Sequence, residues 1–171
     1  MNYKALIREV PDFPKPGILF YDITTLLKDP TALRAIIEDL QRPFVDERIT
    51  KVVGIESRGF IAGSVLATQL NAGFVPVRRP GKLPADTYEI KYDLEYGSNA
   101  LSIHRDAITP GERVLIVDDL LATGGTADAA VQLVQQLGGH VAGLAFLVEL
   151  AFLNGRTRLP GQRIVATVTY P

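Results

Sequence analysis

Cysteine is absent from this sequence of 171 residues, which excludes a disulfide framework, a zinc site built on thiolates and a cysteine nucleophile. Long apolar runs are absent as well, since none approaches the roughly 18–20 residues that a membrane-spanning helix needs. Residues 1–10 carry charged side chains and lack the apolar segment of a signal peptide. We therefore expect a cytoplasmic protein that has no membrane partner.

The net charge is close to zero, at −1, which argues against a nucleic-acid partner for the chain as a whole. It does not argue against a local basic pocket for a small anion. The apolar share of 47% and the charged share of 22% are near the averages of globular proteins. At this chain length, they predict a single domain over residues 1–171.

Short apolar segments alternate with segments of helical period along most of the chain. Asp29 followed by Pro30 is typical of a helix start, with an N-cap residue and a proline in the first turn. The predicted helices cover residues 31–44, 59–70 and 127–137, and the predicted strands cover residues 18–23, 51–55, 74–78, 113–117, 141–150 and 163–170. Short apolar strands separated by helices indicate an α/β fold, with a mostly parallel sheet that is flanked by helices.

Residues 80–98 interrupt this alternation. The stretch combines glycines, prolines, tyrosines and many charges, and no regular period is evident in it. A long connection inside a compact domain is usually either a functional lid or a disordered insert. The residues alone leave both interpretations open.

The segment 114–126 is the one that indicates chemistry. Four apolar residues predict a buried strand, and Asp118 and Asp119 follow at its carboxyl end, where ligands bind in open α/β sheets. Residues 123–126, Thr-Gly-Gly-Thr, then lead into a helix, whose unpaired amide groups are suited to a phosphate. A ribose 5-phosphate satisfies both features, with its phosphate in the loop and its hydroxyls on the carboxylates. The sequences of two other phosphate loops, G-x-x-x-x-G-K-[ST] and G-x-G-x-x-G after a strand, do not occur.

This segment resembles the phosphoribosyl-diphosphate motif of the type I phosphoribosyltransferases. Four further segments, at residues 12–20, 54–60, 81–84 and 94–97, are similar to segments of the members that use adenine, in the same order and spacing. The resemblance implies a purine salvage enzyme with a single phosphoribosyltransferase domain, over whose active site residues 80–98 form a mobile lid. It would transfer the phosphoribosyl group of 5-phosphoribosyl 1-diphosphate to adenine, giving AMP and diphosphate.

The resemblance also implies cofactor, partners and residue roles. Mg²⁺ would be held through the substrate and water, without direct protein ligands, and the chain would form a homodimer without nucleic acid. The residues implied for ribose 5-phosphate or AMP are Asp118, Asp119, Ala122, Thr123, Gly124, Gly125 and Thr126. Those for diphosphate are Ser57, Arg58, Arg78, Lys82 and Tyr96, with Arg79 in the same basic cluster. The catalytic residues would be Glu95, Arg58 and Lys82. Those for adenine would be Leu19, Phe20, Tyr21 and Leu150.

The sequence departs from the family pattern at two positions. Many members carry arginine where this chain has Tyr21, so only recognition through the backbone carries over there, and Pro80 stands where others often carry a basic residue. The two histidines, His104 and His140, match no functional position in the family, and we expect them on the surface or in a strand.

Two other functions compete with adenine transfer. One is a phosphoribosyltransferase for guanine, hypoxanthine or xanthine. The other is a noncatalytic regulator that senses phosphoribosyl diphosphate, which would carry an appended nucleic-acid-binding element or a damaged lid. The chain leaves no room for such an element and retains Arg58, Lys82 and Glu95, which favours the enzyme.

Overall fold

The computed structural model of the chain describes residues 1–93 and 98–171. These residues form two compact units, Met1–Asp39 and Leu40–Pro171. The single phosphoribosyltransferase domain over residues 1–171 stays a prediction. In the described residues, no helix is both long and apolar enough to cross a membrane.

The first unit contains short elements and most of one long helix. Its elements are a 3-10 helix (Tyr3–Leu6), the antiparallel strands β1 (Arg8–Val10) and β2 (Phe20–Asp22), and the helices α1 (Thr24–Leu27) and α2 (Pro30–Gln41). The Asp29 carboxylate accepts hydrogen bonds of 2.9 Å from the backbone amides of Thr31 and Ala32, which satisfies donors that the first helical turn leaves unpaired. The helix start predicted at Asp29 and Pro30 is therefore confirmed.

The second unit contains the predicted α/β sheet. After a 3-10 turn (Arg42–Phe44), its elements are β3 (Lys51–Ile55), α3 (Gly59–Gln69), β4 (Gly73–Val77), β5 (Thr87–Asp93), β6 (Ser98–His104), β7 (Arg113–Leu121), α4 (Gly125–Gln136), β8 (His140–Leu150), two 3-10 turns (Ala151–Leu153 and Gly155–Arg158) and β9 (Ile164–Tyr170). Five strands form a sheet in the order β4-β3-β7-β8-β9, and every neighbouring pair is parallel. The predicted fold class is confirmed, and the predicted strands 51–55, 141–150 and 163–170 agree with the observed ones to within one residue.

The chain winds outward from the middle of this sheet in two directions. Helix α3 connects β3 to β4 on one side, whereas α4 connects β7 to β8 on the other. Because such crossovers are right-handed, opposite directions place the two helices on opposite faces of the sheet. The point where the direction reverses lies between β3 and β7. In open α/β sheets, ligands bind outside the carboxyl ends of the strands at this point.

The expectation that residues 80–98 lack regular structure is wrong for Thr87–Asp93. This segment is the strand β5, which pairs antiparallel with β6 in a separate two-stranded sheet. A period of two is present in its sequence, since Tyr88, Ile90 and Tyr92 pack against the core while the charged residues between them are exposed. The high charge content concealed this alternation, because charges on the outer face of a strand leave the inner face apolar.

Candidate active site

A difference in strand length opens a cavity at the reversal point of the sheet. Strand β3 pairs with β7 only as far as Gly54 and Val117, whereas β7 continues beside β8 to Leu121. The strand predicted over residues 113–117 was too short. Asp118 and Asp119 belong to β7 and not to the loop that follows it. The last residues of β7 extend beyond β3, and Asp118 and Asp119 line the space that the shorter strand leaves open.

The resulting cavity has a volume of about 350 Å³. Six residues implied by the resemblance line it together: Ser57, Arg58, Asp118, Asp119, Ala122 and Thr126. They come from the loop after β3, the end of β7 and the start of α4, which are far apart in the sequence. The remaining lining residues are Ile55, Glu56, Arg79, Tyr92, Asn99, Leu101 and Leu120.

The two carboxylates have different environments. Asp119 is only 8% exposed, and its Oδ2 accepts a hydrogen bond from Nε of Arg58. The Asp118 Oδ1 accepts a hydrogen bond of 2.9 Å from the backbone amide of Asp119. Burial raises the pKa of the Asp118 carboxyl well above its usual range, and the Asp119 charge raises it further, against the opposing effect of Arg58.

Asp118 lies close to the first residue of α3, which is Gly59. A Cβ on Gly59 would stand 2.9 Å from Oδ1 of Asp118 and 2.8 Å from the carbonyl oxygen of Val117. No side chain fits into that space, so glycine is required for the helix to approach the strand.

A smaller cavity of about 70 Å³ adjoins the same residues. It is lined by Asp118, Leu120, Leu121, Ala122, Thr123, Gly124, Gly125, Thr126 and Ala127. Gly124 has a φ of +87° and directly precedes α4, so the loop turns into the helix through a conformation that favours glycine. The first helical turn, whose amides have no partner within the helix, therefore borders this cavity, as an anion site requires.

Glu56 organises the basic cluster near the large cavity. Its carboxylate accepts hydrogen bonds from Nε of Arg78 at 2.8 Å and from the backbone amide of Arg79 at 2.7 Å. Arg78 also donates to the carbonyl oxygen of Lys82 at 3.2 Å. Although burial raises the pKa of Glu56, these two donors and the charges of the arginines lower it overall. The cluster is thus folded around a carboxylate, and Arg79, not Arg78, lines the cavity.

The two-stranded β5–β6 sheet contributes residues that the sequence did not indicate as part of the site. The hydroxyl of Thr126 donates a hydrogen bond of 3.1 Å to the Tyr92 hydroxyl, and Tyr92, Asn99 and Leu101 line the large cavity. The period of two in β5 would have placed Tyr92 on the inner face, but no pattern indicates that this face meets the start of α4.

Comparisons with known proteins agree with this geometry. A sequence model described as a phosphoribosyl transferase domain matches residues 22–165. Adenine phosphoribosyltransferase of Acidobacterium capsulatum is 60% identical over 167 residues, which cover 98% of this chain and 92% of that protein. The chain belongs to the adenine phosphoribosyltransferase family. The resemblance inferred from the five sequence segments is thereby confirmed.

Solved structures of adenine phosphoribosyltransferases have the same fold. The enzyme of Thermoanaerobacter pseudethanolicus superimposes with a TM-score of 0.95 at 50% identity, with 98% of each chain covered. The enzyme of Saccharomyces cerevisiae has a TM-score of 0.90 at 40% identity, with 96% of this chain and 95% of that chain covered. The yeast structure contains adenine and the bisphosphate of an imino-altritol.

The residues that the family resemblance implies for adenine lie in both units. Leu19 is exposed, Phe20 and Tyr21 are half-buried in β2, and Leu150 is buried at the end of β8. Burial raises the pKa of the Tyr21 hydroxyl, and the charge of Glu9 raises it further. Their joint role in an adenine pocket stays a prediction.

Two predicted residues, Glu95 and Tyr96, lie outside the described residues. Lys82 is exposed, and its backbone carbonyl holds Arg78. The two histidines have the expected positions, since His104 ends β6 and His140 is an exposed residue at the start of β8. Within residues 1–93 and 98–171, there is no group of three or more histidine, aspartate or glutamate side chains that could bind a metal ion.

Proposed function

We propose that this chain catalyses the transfer of the phosphoribosyl group from 5-phosphoribosyl 1-diphosphate to adenine, producing AMP and diphosphate. One observation carries the proposal. Asp118 and Asp119 line the large cavity at the reversal point of the sheet, with Arg58 beside them, and Asp118 also lines the adjoining small cavity together with the anion loop, residues 122–126. A phosphorylated pentose is a ligand that matches both the carboxylates and the anion loop.

The ribose 5-phosphate part would lie along β7 and the start of α4. Asp118 and Asp119 would accept hydrogen bonds from the 2- and 3-hydroxyls, because a carboxylate is a strong acceptor. The amides and hydroxyls of residues 122–126 would bind the 5-phosphate. This binding would hold the anomeric carbon in place for attack by N9 of adenine.

The diphosphate would leave toward the loop after β3 and the basic cluster. Negative charge develops on this group as its bond to carbon breaks, while the ribose gains oxocarbenium character. Ser57, Arg58, Arg78 and Lys82 would supply donors and positive charge for it. Arg79 joins this set, because it lines the cavity. Glu95 and Tyr96 would complete the site from the lid over residues 80–98.

Mg²⁺ would bind in the large cavity beside the diphosphate. It prefers oxygen ligands in an octahedral arrangement and usually keeps several waters next to substrate phosphates. Asp118 and Asp119 offer carboxylate oxygens at this cavity, so the site is chemically suited to a cation held through water and substrate. Bound there, Mg²⁺ would neutralise part of the charge on the leaving group.

Adenine would lie between apolar side chains of Leu19, Phe20 and Leu150, and backbone groups at Leu19 and Tyr21 would read its edge. The yeast relative contains adenine in its crystal structure, which supports a base site in this family. Recognition through backbone groups is compatible with Tyr21, where many members carry arginine.

A homodimer in the cytoplasm is part of the same proposal. Helix α3 is apolar on nearly all sides, which is typical of a helix that is buried. Yet Ile61 on this helix is 42% exposed, and Val65 is 37% exposed. A second copy of the chain would cover these side chains, as apolar contacts do in permanent dimers.

The proposed function is tested by a product assay with each purine base. The purified protein is incubated with 5-phosphoribosyl 1-diphosphate, Mg²⁺ and adenine, guanine, hypoxanthine or xanthine, and nucleotides are separated by chromatography. We expect AMP from adenine, with diphosphate released in equal amount. Product from another base alone would assign the chain to the competing enzyme, and binding without turnover would assign it to the regulator.

A further inference from the structure

The turn Gly155–Arg158, between β8 and β9, packs directly against the loop that precedes α4. A Cβ on Gly124 would collide with the carbonyl oxygen of Gly155, and a Cβ on Gly155 would collide with the carbonyl oxygen of Ala122. The two backbones can approach this closely only because both positions are glycine. The turn is thus part of the wall behind the anion loop.

An ion pair with a buried carboxylate holds this turn in place. The Arg156 guanidinium donates to both carboxylate oxygens of Glu149, at 2.7 and 2.8 Å, and Glu149 is 5% exposed. Arg156 also donates to the carbonyl oxygen of Ile164 in β9 at 3.3 Å. This two-point contact fixes the guanidinium plane, and the neighbouring residues of the turn are therefore held at a defined position.

The side chain of Arg158 extends to the start of α4. Its Nη1 lies 3.4 Å from the point where a Cβ on Gly125 would stand. In a helix, this point is displaced toward the N-terminus, so the guanidinium lies beside the amides of the first turn. Among the described residues, no hydrogen bond or ion pair engages the Arg158 guanidinium, and its donors are available to a ligand.

The residues that line the two cavities provide little unpaired positive charge for a phosphate. The small cavity has no basic residue among its described lining residues, and Asp118 is its only charged one. The arginines of the large cavity contact carboxylates, Arg58 at Asp119 and Arg79 at Glu56. A phosphate monoester carries between one and two negative charges at neutral pH, and helix amides contribute only about half a unit of positive charge.

We propose that Arg158 is a further phosphate-binding residue, whose guanidinium donates to 5-phosphate oxygens that the amides of residues 123–126 leave unpaired. This inference rests on the proposed function, because it takes the small cavity as the 5-phosphate site. The ligand class that Arg158 favours is a 5-phosphorylated pentose over the corresponding nucleoside.

The experiment compares AMP with adenosine, which differ only in the phosphate. Affinities for both are measured by calorimetry at constant ionic strength for the wild type, Arg158→Gln, Arg158→Lys and the control Arg34→Gln, which alters an exposed arginine of α2. We expect Arg158→Gln to weaken AMP binding by about 3- to 30-fold, since a charged hydrogen bond at an exposed site is weaker than a buried one. Adenosine affinity should not change. Arg158→Lys should lose less affinity for AMP than Arg158→Gln, and Arg34→Gln should lose none.

Two results would overturn the inference while leaving the proposed function intact. One is wild-type AMP affinity in folded Arg158→Gln, and the other is an equal loss for AMP and adenosine, which would indicate a structural role of the turn. If the wild type makes no AMP and binds none, the proposed function itself fails. The measurements on the wild type therefore distinguish a failure of the proposed function from a failure of the role of Arg158.

Discussion

We expect protein folding and ligand binding to make opposite demands on Asp118. Its carboxyl is held beside Asp119 and the start of α3, where burial and the neighbouring charge raise its pKa. The folded protein therefore binds this proton more tightly than the unfolded chain does. Between the ordinary carboxyl pKa of about 3.9 and the raised value, the free energy of unfolding falls as pH rises.

Replacing Asp118 with asparagine should remove this loss of stability. We expect Asp118→Asn to melt at a higher temperature than the wild type above neutral pH, with a difference that shrinks as pH falls toward about 4. Asparagine still accepts the hydrogen bond from the Asp119 amide, so the strand should be preserved. Thermal unfolding from pH 4.5 to 8.5, with the exposed Asp106→Asn as control, measures the effect. A difference that does not change with pH would show that the Asp118 charge costs the fold nothing.

The same substitution should weaken binding of AMP by about 10- to 100-fold, because a neutral amide replaces a charged acceptor of ribose hydroxyls. Gain in stability together with loss of affinity is the pattern expected of a group placed for function. The sequence motif indicated the two aspartates, but their difference in environment depends on α3 and on Arg58, which are brought to them only by the fold.

At the scale of elements, the anion loop is the best-defined part of the site. Gly124 has positive φ, and a Cβ there would meet the carbonyl oxygen of Gly155. Gly161 also has a positive φ, of +74°, but has nothing within 4 Å of such a Cβ. Alanine substitutions at these two glycines therefore distinguish the cost of backbone strain from the cost of a steric collision.

We expect Gly161→Ala to lower the free energy of unfolding by about 1–2 kcal/mol through strain alone. Gly124→Ala should cost roughly 1–3 kcal/mol more, because it also displaces the turn that holds Arg158. Urea unfolding of both variants gives the comparison. Equal losses of unfolding free energy at the two positions would mean that the loop and the turn can move apart at little energetic cost.

Residues 80–98 are the predicted lid, and its predicted catalytic group is Glu95, which lies outside the described residues. A carboxylate near the imidazole edge of adenine would stabilise positive charge or accept a proton as N9 attacks. Glu95→Gln should then lower kcat by about 10²–10⁴-fold and change KM much less. Because lid opening can limit turnover, single-turnover rates are the measurement. Glu89→Gln, on the exposed face of β5, is the matched control, and a wild-type rate for Glu95→Gln would remove it from the chemistry.

The elements differ in how well the sequence predicts them. Buried strands such as β3 and β8 are nearly continuous apolar runs, and their bounds were predicted to within one residue. The strand β5 was missed because its charged outer face dominates its composition. The contact of Arg158 with the loop was not predictable, since it depends on two glycines about thirty residues apart, Gly124 and Gly155, that carry no shared pattern.

At the scale of the whole molecule, the exposed apolar side chains of α3 lead to a prediction about assembly. The wild type should sediment as a dimer, and Ile61→Glu should shift it toward the monomer, because a charge would be buried at the contact. Val45→Glu, at an apolar residue that is 57% exposed outside α3, should leave the dimer intact. Analytical ultracentrifugation that finds Ile61→Glu still fully dimeric would place the interface elsewhere.

The choice of purine base decides whether this chain is an adenine phosphoribosyltransferase in its activity. Adenine presents an amino donor and an N1 acceptor, and hypoxanthine reverses both, so a site with rigid backbone partners for adenine leaves groups unpaired with hypoxanthine. Such sites discriminate by about 10⁴–10⁵-fold. The measurement is kcat/KM for the two bases at saturating 5-phosphoribosyl 1-diphosphate and Mg²⁺. We expect a preference for adenine of at least about 10²-fold, and comparable values for the two bases would show that the site does not select adenine.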